Sequence, residues 1–99
     1  MERTIWKYTL EWNDYEEIDL PCGTAVLHVG IHDDKLCLWC LVFPDEELLM
    51  KRRFRIAGTG HPLADGEIFE HVGTVMLENG ALVFHVFEVI EHLIPPYEE

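Results

Sequence analysis

The feature that most constrains this chain is an alternation of apolar and polar side chains with a period of two, carried by β-branched and aromatic residues. That period puts successive side chains on opposite faces of an extended strand, and no amphipathic helix can carry it. Over residues 5–12, Ile5, Lys7 and Thr9 alternate against Trp6, Tyr8, Leu10 and Trp12. A short acidic strand is expected over 16–20, closed by a turn at Pro21-Cys22-Gly23. Residues 24–32 place Ala25, Leu27, Val29 and Ile31 on one face, with Val26 and His28 on the other. Asp33-Asp34 reads as a hairpin tip. The returning strand, 35–43, is apolar on both faces and is therefore central in its sheet. Further strands are expected over 51–57, 69–77 and 82–90. The last two join around Glu78-Asn79-Gly80, where Asn-Gly supplies the positive φ that a tight hairpin needs.

One stretch departs from this pattern. Residues 44–50 begin like a helix, with Asp45 as N-cap and acids in the first turn, and have room for only one or two turns. The elements together predict an all-β chain, an antiparallel sandwich or small open barrel of six to seven strands, with at most one short helix near 45–50. A chain of 99 residues holds one core. The expected organisation is a single β domain over 1–90 and a C-terminal tail over 91–99. Glu16, Glu17 and Asp19 would guard an exposed sheet edge. Bulky apolar residues on both strand faces leave surface that a homodimer would cover.

Charge narrows the function classes. Nineteen Asp and Glu against seven Lys and Arg give a net charge of −12. Such a surface repels phosphate backbones and anionic lipids, so direct nucleic-acid binding is not expected. The longest apolar run, 36–43, is far short of the roughly 20 residues a membrane helix needs. No secretory signal is evident, so the three cysteines, Cys22, Cys37 and Cys40, read as reduced thiols of a cytosolic protein. Cys37 and Cys40 form a C-x-x-C within a strand, which points their sulfurs to opposite faces and argues against a metal site. Serine is absent, which removes Ser-His-Asp hydrolases. No catalytic residues and no cofactor are expected. The acidic surface instead suits a partner protein with a basic surface, and Asp45, Glu46 and Glu47 are the candidate contacts.

The least expected feature of so acidic a chain is its concentration of cations. Lys51, Arg52, Arg53 and Arg55, four of the seven, fall within five residues. On a strand, Arg53 and Arg55 share a face about 6.8 Å apart. Gly58-Thr59-Gly60-His61 follows, where glycines could turn backbone N–H groups inward as an anion nest. Arg53 and Arg55 would supply forked donors, Thr59 a hydroxyl and His61 an imidazole, and His71 would join them if its strand lies beside theirs. Together with Gly58 and Gly60 these residues predict a pocket for a small anionic, nucleotide-like ligand. The competing expectation is that the cations pair with carboxylates across strands and the glycines only permit a turn. No Walker loop is present, because no Lys-Ser/Thr follows the glycines. His28 and His85 read as core imidazoles. Trp6, Trp12 and Trp39 read as core aromatics, with Trp39 on the face of Cys37, Leu41 and Phe43.

Several strings together carry a resemblance. They are Ile5-Trp6-Lys7-Tyr8, Leu27-His28-Val29-Gly30, Leu36-Cys37-Leu38-Trp39, Arg53-Phe54-Arg55-Ile56, Gly58-Thr59-Gly60-His61-Pro62, Val72-Gly73-Thr74-Val75 and His85-Val86-Phe87-Glu88. With Leu20-Pro21, they resemble a family of small, functionally uncharacterised proteins of tailed bacteriophages and prophages. The likeness runs from about residue 4 to residue 88. Cys40 stands where the family pattern leads one to expect alanine, and Phe84 where it leads one to expect tryptophan. The resemblance carries over no catalytic or binding role. It implies a phage gene product acting in a bacterial cytoplasm, and by analogy an accessory protein that inhibits a component of the host or of bacterial defence.

Overall fold

A computed structural model of the protein describes residues 1–90. Seven strands are formed among the described residues: β1 (Thr4–Leu10), β2 (Tyr15–Pro21), β3 (Ala25–His32), β4 (Lys35–Val42), β5 (Leu49–Gly58), β6 (Phe69–Leu77) and β7 (Leu82–Val89). They make two antiparallel sheets, three-stranded in the order β1-β4-β3 and four-stranded in the order β2-β5-β7-β6. The chain is all-β, as its alternation requires. No helix among the described residues is long and apolar enough to cross a membrane. The expected tail over 91–99 lies outside the described residues.

Both tight hairpins form where the turn residues place them. Asp33 and Asp34 adopt φ of 53° and 63°, the left-handed pair of a two-residue connection. Glu78, Asn79 and Gly80 adopt φ of 52°, 56° and 90° in a 3₁₀ turn between β6 and β7. β4 is central in its sheet, as its two apolar faces require. Its Leu36, Leu38, Cys40 and Val42 meet Leu10, Leu20, Phe54, Ile56, Val75 and Val86 in one core between the sheets. Full burial of each such leucine or phenylalanine contributes roughly 1.5–3 kcal/mol.

Three expectations are corrected. Residues 44–50 are not helical. After one turn, in which the Glu46 N–H donates to the Phe43 carbonyl (3.0 Å), the Cys22 N–H captures the Leu48 carbonyl (2.9 Å). Pairing with β2 then begins at Leu49, opposite Pro21, so sheet bonds replace helical ones. In β3 strict alternation fails at a bulge. Val26 lies opposite Cys40 and His28 opposite Trp39, leaving Leu27 as the extra residue. The phase shift turns Val26 onto the core together with Val29 and Ile31, and leaves Leu27 and His28 exposed. Finally, the face carrying Cys37, Trp39 and Leu41 is the outer face of the three-stranded sheet. Trp39 is half-buried there, and Trp6 and Trp12 are each 42% exposed, so none of the three tryptophans is a core residue.

The sheets meet where β3 runs beside β6. A glycine permits this approach: a Cβ on Gly73, at the bulge in β6, would stand 2.7 Å from Val29 Cγ1.

Candidate functional site

β5 determines where the cations go. Its alternation sends Arg53 and Arg55 to the outer face of the four-stranded sheet and Arg52 inward, in phase with Phe54 and Ile56. On the outer face, Tyr15 of the neighbouring β2 lies opposite Arg55. The Arg53 guanidinium stacks over the Tyr15 ring at 4.2 Å and pairs with Glu67 at 3.5 Å. The Tyr15 hydroxyl donates to the other oxygen of Glu67 at 2.6 Å, and that bond is the main reason the phenol is held above its ordinary pKa. Glu67 belongs to the connection between β5 and β6. Arg53 and Tyr15 therefore fasten that connection back over the sheet.

Arg55 completes the fastening and leaves no anion site there. Its side chain is 8% exposed. Nη1 donates to the Ile56 carbonyl (2.7 Å) and the Asp14 carbonyl (3.3 Å), and lies 3.5 Å from the Asp14 carboxylate. Nη2 donates to the Pro62 carbonyl (2.9 Å), while Nε is buried without a partner among the described residues. The guanidinium thus joins three segments of the chain. The expected Arg53/Arg55 pocket is corrected: both groups are engaged internally, and the connection covers Arg55.

The glycine loop is corrected in the same way. The Gly58 N–H donates to His61 Nδ1 (3.1 Å), the His61 N–H to the Gly58 carbonyl (3.0 Å) and the Thr59 N–H to the Val83 carbonyl (3.2 Å). These donors close a turn and an interstrand bond, so they do not converge on an anion. Gly60 serves the turn through its φ of 92°. A Cβ on Gly58 would come within 2.9 Å of the exposed His61 ring, so a larger residue there would push that ring aside. His71 is not on a strand next to Arg53 and Arg55. β7 intervenes, with Phe87 between Arg55 and His71 in the ladder. His71 does reach Thr59 by another route: Thr59 Oγ1 bonds His85 Nε2 (2.7 Å), His85 Nδ1 bonds Thr74 Oγ1 (3.0 Å), and Thr74 Oγ1 bonds His71 Nε2 (3.2 Å). His85 is therefore a surface link, and neither it nor the exposed His28 is a core imidazole.

Asp45 and Glu47 are exposed, and the Glu46 carboxylate accepts the Leu48 N–H at 3.0 Å. Directly after them Leu48, Leu49 and Met50 are 69%, 60% and 53% exposed. β5 pairs with β2 from Leu49 onward but with β7 only from Arg53, so residues 49–52 have one bare edge among the described residues. An acidic turn therefore leads into three exposed apolar side chains, Leu48, Leu49 and Met50. Beside that edge lies a cavity of about 590 Å³, lined in part by Glu17, Met50, Arg52, Glu70 and Glu88.

One polar feature escaped the sequence reading. Inside the sandwich, Arg52 Nε and Nη2 donate to the two oxygens of Glu88 at 2.6 and 2.9 Å, and Nη1 donates to the Thr24 carbonyl at 2.7 Å. The hydrogen bond to Glu88 raises the Arg52 pKa further. Burial beside this pair pushes the Cys40 thiol up to about 11, with Arg52 pulling the other way. The signal was present: Arg52 and Glu88 both stand at inward-facing positions of their strands, and a buried charge needs a partner at hydrogen-bonding distance.

Comparison with known proteins places the chain in a family. A family model described as a domain of unknown function, DUF7352, matches residues 1–94. The chain belongs to the DUF7352 family. No curated protein and no solved structure matches it. In this DUF7352 chain the motif strings noted above become specific parts of the fold. The Arg-Phe-Arg-Ile segment is the centre of β5, and the Gly-Thr-Gly-His-Pro segment is the turn that Arg55 bolts down.

Proposed function

We propose that this protein is a non-enzymatic binding protein, an accessory protein of a tailed bacteriophage that works in the bacterial cytoplasm. It docks its acidic surface on a basic surface of a host or defence protein and so inhibits it. The observation that carries this reading is the division of charge. Lys51, Arg52, Arg53 and Arg55 each already face a carboxylate of the same chain, Asp19, Glu88, Glu67 and Asp14 respectively. Asp45 and Glu47 instead stand exposed ahead of the exposed apolar side chains of Leu48, Leu49 and Met50. Acids steer a cationic partner and exclude wrong ones, while the apolar side chains offer area to desolvate. The phage assignment rests on the sequence resemblance described above.

The test is affinity capture from bacterial lysate with the wild-type chain and with an Asp45→Lys/Glu46→Lys/Glu47→Lys variant. The expected outcome is one defined basic partner, retained by the wild type, lost by the variant, and released as salt rises from about 0.05 to about 0.5 M. Equal capture by a folded variant would overturn the reading.

A further inference from the structure

The three-stranded sheet differs in charge from the rest of the molecule. Its strands β1, β3 and β4 hold no Asp or Glu, in a chain that has nineteen. Their only formal charges are Lys7 and Lys35. The four-stranded sheet, by contrast, carries Glu16, Glu17, Asp19, Glu70 and Glu88 on its strands.

The outer face of this carboxylate-free sheet is also flat and apolar at its centre. Gly30 has no side chain to lift the Trp39 ring, whose Cζ3 would be 3.4 Å from a Cβ placed there. Trp39 therefore lies across towards β3, with the rings of His28 and His32 centred 5.8 and 6.3 Å from its own. Around it Ile5 and Leu27 are 55% and 50% exposed. Lys7, opposite Trp39 on β1, donates to His32 Nδ1 at 2.9 Å, so the amine is drawn across the face.

We propose that this face is where a second copy of the chain docks, giving a two-fold symmetric dimer. Two molecules of charge −12 repel each other wherever carboxylates face carboxylates. The outer face of the three-stranded sheet is the broad surface on which they can meet without that penalty, and its apolar centre is self-complementary. Three strands of this length span a rectangle of about 25 by about 15 Å, from a rise of about 3.4 Å per residue and a strand spacing of about 4.8 Å. Closing two such roughened rectangles removes on the order of 1,000 Å² from water, which reaches the floor for a specific interface.

Sedimentation equilibrium of the purified full chain tests this. The wild type should sediment at twice its chain mass of 11.6 kDa. Association should tighten with added salt, because screening weakens the repulsion between copies; host docking has the opposite salt dependence. Ile5→Glu and Leu27→Glu, two exposed sites on different strands, should each weaken self-association at least tenfold while leaving the far-ultraviolet circular dichroism unchanged. A wild type that stays monomeric at about 100 μM overturns the proposal. So does a dimer that survives both substitutions.

Discussion

Arg55 looks in the sequence like a ligand-binding residue and in the fold acts as a bolt. The sequence displays donors, but the acceptors that satisfy them, the carbonyls of Asp14, Ile56 and Pro62, come from three different places in the chain. No local pattern encodes that meeting, so the anion pocket was a fair reading of the residues that the tertiary structure overturned. Replacing Arg55 by methionine keeps much of the packing but strips those carbonyls of their donors. It should destabilise the protein by about 2–4 kcal/mol, read as a drop in the urea-unfolding midpoint. Cys40 gives a second prediction at this scale. Burial raises its thiol from 9.0 to about 11, so the folded chain holds that proton more tightly than the unfolded chain does. The associated stability is intact below about pH 9 and is lost as pH rises through the folded value. Between about pH 8 and about pH 10.5 the wild type should therefore lose more unfolding free energy than Cys40→Ala, by up to about 2 kcal/mol.

Strands and hairpins were legible because period and turn chemistry are local. β6 falls on the expected residues, and the Asp33-Asp34 and Asn79-Gly80 turns adopt the positive φ their side chains tolerate. The failures at this scale are equally physical. The acids at 45–47 suit a helix start, but an unpaired β2 edge competed for the same backbone and won. The β3 bulge inverts the phase of the strand by one residue, which alternation alone cannot anticipate. Gly73 explains why β6 can lie against β3 at all. Gly73→Ala would drive its methyl into Val29 and should cost about 1–3 kcal/mol in unfolding free energy, with the largest loss of amide-exchange protection in β3 and β6. Full stability and protection in that variant would contradict the close approach described.

For the molecule as a whole, net charge was plain in the sequence, while its distribution required the sheets. Strand order brings β1 beside the β3–β4 hairpin in one carboxylate-free layer, and gathers the cation-rich β5 into the other. The sign of the salt response thus separates the two proposed contacts, weakening one and strengthening the other. The pairing of copies has a further effect. A chain presents a single Asp45-Glu46-Glu47 turn, so its hold on a target is monovalent. Joined through the carboxylate-free layer, two chains would offer a pair of such turns at a fixed span. A target with matching two-fold symmetry would then be gripped at both points, and rebinding at the second would make release far slower than either contact alone allows.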